Sequence, residues 1–292
     1  MMDNRQPELS SFHQVIVIAR LTVREARRRR MMWLGLGLGL VFVILFGTGY
    51  YFAFQDFHSH QPVTGASGFQ ETLFSSIFLA TALYVVNFLV VMVTALTTVG
   101  TISAELDSNS IHALAAKPIR RWEIVLGKWL GNGLLVAVYT CLMTVGVMLD
   151  VLVINGYFPP NALAVLLLLI LESLAVLSVT MFGSSVMSTL ANGVTVFMLY
   201  GLAFVGGWVE QIGSLLESQT AVDIGIASSL LLPSEGLWRY AAALMQRSSL
   251  TNMMPGPLMV TSQPSFAFVI YAMLYTAGFL LAAMWAFGKR DL

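Results

Sequence analysis

ELDSNSIHALAAKPIRRWEIVLGK, residues 105–128, is a charged island between two apolar runs, each long enough to cross a bilayer. It opens on Glu105 and Asp107, passes a small polar turn at Asn109 and Ser110, and continues through Pro118, Arg120 and Arg121 to Gly127 and Lys128. Charge at this density cannot stay in hydrocarbon, so the island must sit in water at a membrane face. The rest of the chain agrees. Hydrophobic residues make up 57% of the sequence and charged residues 10%, against roughly 25% charged in soluble domains. The mean hydropathy is +0.79. In 292 residues there is room for about six spans of roughly 20 residues with modest loops, and none for a separate soluble catalytic domain. The lone cysteine, Cys141, lies inside an apolar run, which excludes an intramolecular disulfide.

Working outward from the island, the apolar runs predict spans over 32–54, 73–102, 124–154, 162–187, 193–212 and 266–287. The second, third and fourth runs exceed the minimum, so those helices tilt or continue into water. Gly35, Gly37 and Gly39 in the first span, and Gly127 and Gly131 in the third, have the spacing of close helix contacts.

Orientation follows from the basic residues. Thirteen arginines and lysines fall before the first span, between Lys117 and Lys128, or at Lys289 and Arg290, which leaves Arg239 and Arg247 for the other side. By the positive-inside rule both termini and the 105–128 loop are expected in the cytoplasm, together with the short turn at 184–192. The loops around His58, Tyr157 and Ser234 are then external. The first apolar run begins after thirty residues and is full-length, so it is expected to remain as a span rather than be cleaved.

In residues 10–30, Phe12, Val15, Ile16, Ala19, Val23 and Ala26 recur at three- and four-residue steps opposite Gln14, Arg20, Arg24 and Arg28. This predicts an amphipathic helix lying in the membrane interface, with Ser10 or Ser11 as N-cap. Arg27, Arg28, Arg29 and Arg30 would anchor its end against anionic lipid headgroups at about 1 kcal/mol per charge. No nucleic-acid partner is expected, because the basic run adjoins a span and no aromatic stacking platform accompanies it.

Several chemistries are disfavoured. Gly127-Lys128 is followed by Trp129 rather than Ser or Thr, so there is no phosphate-cradling loop and the chain cannot hold ATP itself. His13, His58, His60 and His112 all fall in polar segments, which leaves an intramembrane Ser-His hydrolase without its base. No catalytic residue is assigned.

The order of Glu105, Ser110, Ile111, Leu114, Pro118, Arg120 or Arg121, Ile124, Gly127 and Lys128 resembles the first cytoplasmic loop of ATP-binding-cassette exporter permeases of the second type (ABC-2). Asn109 stands where that family usually has glycine, a mild departure because Asn tolerates a left-handed turn. The resemblance implies a dimeric permease, with a second copy or a related chain, in which a short coupling helix within 103–123 docks on a separate ATPase subunit. That subunit would bind the ATP and Mg, and this chain would need no cofactor. On that reading Leu106, Ile111, Leu114 and Ile119 form an apolar ridge. Glu105, Asp107, Lys117, Arg120 and Arg121 form a charged rim around it, and Pro118 belongs to the same coupling loop. Without the resemblance the same stretch reads equally as a solvated hairpin between spans.

Glu172 lies near the middle of the fourth predicted span, where a charge costs several kcal/mol, so it is expected to face the bundle interior, either in a translocation path or in a structural hydrogen bond. Asn87 in the second span reads as a path-lining group or as interhelical glue worth about 1 kcal/mol. Asp56, His58 and His60 alternate in DFHSH, which on an extended strand would put three ligands on one side. A fourth partner is lacking, so a polar loop is preferred and no metal site is assigned. The sixteen methionines are scattered through the spans as packing residues.

The interval 213–264 is too long for a turn. Pro233 and Ser234 read as a helix start with Glu235 in its first turn, so short external or re-entrant helices are expected. A full crossing by 221–232 would reverse the parity of the C-terminus, against Lys289 and Arg290.

The expected protein is therefore all-α: one polytopic membrane domain over 1–292, with six transmembrane helices and an N-terminal interfacial helix. The resemblance makes it the permease subunit of an exporter in the plasma (inner) membrane. The competing expectation is a partner-independent secondary carrier or a scaffold for a membrane complex. A carrier should show paired broken spans and ionisable groups in several of them.

Overall fold

A computed structural model of the chain describes residues 11–28, 30–59, 67–103, 120–245 and 264–289. Its helices are α1 (Ser11–Arg28), α2 (Arg30–Ser59), α3 (Ser67–Thr98), α4 (Arg121–Asn155), α5 (Ala162–Val186), α6 (Thr189–Leu215), α7 (Gln219–Leu231), α8 (Ser234–Met245) and α9 (Phe266–Lys289). Among the described residues the protein is all-helical. Six of these helices, α2 to α6 and α9, are long and apolar enough to cross a membrane. They coincide with the six predicted runs.

The ends of the spans define two faces. At one face, which carries α1, the hydroxyl of Ser184 at the end of α5 accepts the backbone N–H groups of Ile102 and Ser103, each at 3.0 Å. Asn192, buried near the start of α6, donates to the carbonyls of Val99 at 2.9 Å and Thr180 at 3.0 Å, tying α3, α5 and α6 together. At the far face the α4–α5 connection turns at Gly156, whose φ of +73° is a left-handed C-cap. The turn between α5 and α6 is tighter than the sequence suggested. It spans little more than Met187 and Ser188, and the Ser188 hydroxyl caps α6 by accepting from the N–H of Ala191 at 3.4 Å.

Buried apolar residues join the spans into one bundle. Tyr50, Leu79, Leu83, Val86, Tyr139, Met143, Val147, Val151 and Leu169 form the largest cluster, and Leu237 and Ala241 of α8 pack into it. Lipid tails are as apolar as these side chains, so their association rests on dispersion and interhelical hydrogen bonds rather than on escape from water. Tyr50 supplies one such bond to Ser75 at 3.0 Å, and Asn155 donates to the same hydroxyl. The outer side of α2 is left bare, with Leu34, Leu38, Val41, Ile44 and Leu45 exposed.

The N-terminal helix is present, but it docks on the bundle as well as facing the interface. Val15 and Ile18 are buried against α4. Gly127 and Gly131 make this possible: a Cβ on Gly127 would meet the Ile18 side chain at 2.7 Å, and one on Gly131 would meet the Ala19 carbonyl oxygen at 2.8 Å. The two glycines foreseen as helix contacts thus seat α1. Phe12, Ile16 and Leu21 remain exposed to meet lipid.

One local expectation fails. Asp56 and His58 lie within α2, which runs a further turn to Ser59, so they do not alternate along an extended strand. Two residues apart on a helix they point to nearly opposite sides. His58 instead faces Glu71, at 3.7 Å. His60 lies outside the described residues.

Helices α7 and α8 form the short elements expected within 213–264. At 1.5 Å per residue the thirteen residues of α7 rise about 20 Å, too little for a hydrocarbon core of about 30 Å, so α7 adds no span to the six candidate spans among the described residues. The α7 helix folds back antiparallel on α6. Positions for a Cβ on Gly206, Gly213 and Gly225 fall against Ser228, Ala221 and Glu210 respectively, an approach that only glycine allows. The chain turns at Leu232 and Pro233, and α8 then rises between α5, α6 and α3. Tyr271 and Tyr275 of α9 hold the tip by donating to the carbonyls of Leu230 at 2.5 Å and Leu231 at 2.6 Å. Tyr275 lies nine residues into its helix, about 14 Å deep, so the α7–α8 hairpin enters from the far face and ends near mid-membrane.

Candidate functional site: a buried charge cluster under the re-entrant hairpin

Where the hairpin meets the bundle, five helices bring polar side chains to one depth. Glu172 of α5 is fully buried, with 0% of its surface exposed. Asn87 of α3 faces it. Neither Glu172 carboxylate oxygen has a hydrogen bond of good geometry among the described residues. The two path residues read from the sequence are therefore together in the interior.

Three further ionisable residues complete the cluster. Arg239 of α8 is 2% exposed and forms an ion pair with Glu210 of α6, itself 2% exposed. The same guanidinium donates through Nη2 to the Ser229 hydroxyl of α7 at 3.1 Å. One arginine thus holds both arms of the hairpin to the fifth span. Glu235, in the first turn of α8, packs on Gly207 of α6. Its carboxylate is attracted by the Arg239 guanidinium and repelled by the Glu210 carboxylate. Aromatic rings enclose the group: Tyr84 stacks on Trp238 at 5.2 Å and on Phe204 at 6.1 Å, and accepts the Trp208 indole N–H at 3.0 Å.

Arg239 corrects the charge reading. It is not an external loop charge but the cation of a buried ion pair. The fifth predicted span already contained Glu210, whose burial required a partner, yet nothing in its neighbourhood along the chain pointed 29 residues ahead to Arg239. Pairing of this kind is set by the hairpin fold and not by local pattern.

The loop residues Glu105, Leu106, Asp107, Ile111, Leu114, Lys117, Pro118 and Ile119 lie outside the described residues. Both ends of the loop are fixed to the bundle, however. Ile102 and Ser103 hang on Ser184, as above. On the other side Arg120 is exposed just ahead of α4, and its N–H donates to the Glu123 carboxylate at 3.0 Å. Glu123 is buried in the first turn of α4, where a carboxylate also complements the helix dipole. Arg121 reaches the Gly288 carbonyl at the end of α9, at 3.4 Å. The Lys128 ammonium donates to the Thr101 carbonyl at 2.9 Å. Arg27 and Arg28 are exposed in the last turn of α1; Arg29 and the side chain of Arg30 are outside the described residues.

Among the described residues the chain is thus a six-span-capable helical bundle with a buried charge cluster beneath a re-entrant hairpin. The family model for ABC-2 family transporter proteins matches residues 16–292. The chain belongs to that family and is a multi-pass component of membrane transport. No curated protein matches it.

Proposed function

We propose that the chain is the permease subunit of an ABC exporter in the plasma membrane, working as a dimer, with the loop over 103–123 docked on a separate ATPase that binds ATP and Mg. The observation that carries this is the anchoring of that loop. A segment between two spans transmits force only if its ends are tied to rigid elements, and here Ser184, Glu123, Gly288 and Thr101 tie them to α3, α4, α5 and α9. The family match supplies the kind of partner. The excess of basic residues on the α1 side supports a cytoplasmic side for both termini and the loop, with the far-face hairpin as an external closure over Glu172 and Asn87. Transport outward is inferred from the family resemblance.

Purification of the tagged chain should bring down an ATPase subunit, and substitution of Glu105 or Pro118 should lower coupled ATP turnover while membrane insertion stays intact. Unchanged turnover in both variants refutes the coupling role. The buried cluster favours one alternative, a proton-linked carrier that needs no ATPase, since Glu172, Glu210 and Glu235 add ionisable groups at membrane depth. Vesicles that accumulate solute on a pH gradient without ATP identify that case.

A further inference from the structure

A groove opens between α1, α2, α3 and α4 on the α1 side, with a volume of about 320 Å³. Its two ends differ in chemistry. At the membrane-face end it is lined by Thr22, Arg27, Thr101, Lys128 and Asn132. Deeper, it is lined by Leu36, Val93, Leu96, Val138 and Leu142. Lys128 to Leu142 is fourteen residues of one helix, a rise of about 21 Å, which covers the roughly 15 Å of a single leaflet's hydrocarbon and a headgroup margin. Leu96, Val138 and Leu142 are half-exposed along its length, so the groove faces the bilayer sideways. A polar mouth at headgroup level above an apolar channel one leaflet deep has the polarity profile of a phospholipid.

The mouth also selects by charge. Lys128 is 6% exposed, so its ammonium sits inside the groove wall rather than in bulk water. Arg27 is exposed at the rim, and Arg24 and Arg28 are exposed on the adjoining turns of α1. Against these stands Glu25, which also lines the mouth. The balance is positive. Trp33, whose indole N–H donates to the Arg27 carbonyl at 3.0 Å, braces the junction of α1 and α2 at the level where amphipathic rings prefer the interface.

We propose that this groove seats one anionic glycerophospholipid from the leaflet on the α1 side. Its phosphate is held by Lys128 and Arg27, and one acyl chain runs between α2, α3 and α4 to Leu142. The site goes beyond the permease reading and rests only on the chain being embedded in a bilayer, so it stands or falls independently of any ATPase. Its consequence is mechanical: the lipid bridges α1 to the start of α4, and α4 begins where the loop over 103–123 ends.

The test uses the full-length chain reconstituted in nanodiscs with phosphatidylglycerol and phosphatidylcholine at equal mole fractions. Native mass spectrometry should show one phosphatidylglycerol retained per chain. Losing one charge contact should lower that retention about fivefold, in Arg27→Gln and in Lys128→Gln. Leu96→Trp, which fills the channel without touching the mouth, should lower retention of both lipids. Because Lys128→Gln and Leu96→Trp can disturb folding, the unmodified protein carries the second readout: phosphatidylglycerol with a photoactivatable acyl chain should label peptides containing Leu36 and Leu142. Equal retention of the two lipids overturns the proposal, as does labelling confined to the far face. Cross-linking of Val138 or Leu142 to another copy of the chain also overturns it, since the groove would then be a dimer seam.

Discussion

Replacing Arg239 by methionine probes the buried cluster most directly. The guanidinium pairs with Glu210, bonds Ser229 and attracts the Glu235 carboxylate, so its loss strips compensation from two buried carboxylates at once. Removing one member of a buried ion pair costs about 3–5 kcal/mol, and Arg239→Met should fall at the upper end of that range. Glu210→Met should cost less, roughly 1–3 kcal/mol, because the arginine it orphans still has Glu235 and Ser229. The double variant replaces the ion pair by an apolar contact of similar volume, strands neither of its members, and relieves Glu235 of the Glu210 charge as it loses Arg239, so it should be within about 1 kcal/mol of Glu210→Met alone. The coupling energy of the cycle is then about 3–6 kcal/mol. Equilibrium unfolding in mixed micelles measures it, with Trp208 and Trp238 as fluorescent reporters beside the pair. Additivity of the two single variants within about 0.5 kcal/mol refutes the reasoning, and so does a larger loss for Glu210→Met than for Arg239→Met.

Glu235 faces Arg239 of its own helix, Glu210 and Tyr200 of α6, Glu172 of α5 and Tyr84 of α3. Glu235→Gln keeps the shape of the side chain while removing a charge that opposes Glu210, and should change stability in the same unfolding assay by less than Arg239→Met does. Gly131→Leu drives a side chain into the Ala19 carbonyl and Thr22, and should destabilise by about 1–3 kcal/mol while exposing the α1 junction to protease. Glu172→Gln removes a fully buried carboxylate with no counter-charge beside it among the described residues and should leave unfolding stability unchanged or improved; transport equal to the unaltered protein would remove Glu172 from the path.

The spans were legible because their signal is length and composition, which survive any error in register. An apolar run of 20 or more residues has few places to go but across a bilayer, and the runs beginning at Met32 and ending at Phe287 needed no tertiary information. The hairpin was half legible. Pro233 with Ser234 marks a helix start, and Ala221 to Leu232 is too short to cross, which leaves a short external or re-entrant element without choosing between them. The route of α8 into the bundle, by contrast, depends on Gly206, Gly213 and Gly225 letting α7 lie against α6, and a glycine in a sequence does not say which helix approaches it. DFHSH misled because α2 continues helical past the end of its apolar run, and a polar terminal turn of a helix looks like a loop.

The two buried cations show why local pattern sorts charges poorly and why the orientation argument survives. Arg239 and Lys128 both sit beside apolar residues, and both counted equally as topological markers when only their positions in the chain were known. Arg239 proves to be internal, satisfied by Glu210, so it has no claim on either side of the membrane. Lys128 lies at the α1 face on the Thr101 carbonyl, level with the basic end of α1. Withdrawing Arg239 leaves Arg247 as the sole remaining cation assigned to the far side, against an unchanged set on the near side. The asymmetry on which the expectation of a cytoplasmic 103–123 loop rests therefore grows when the fold is taken into account, because the arginine it loses opposed it.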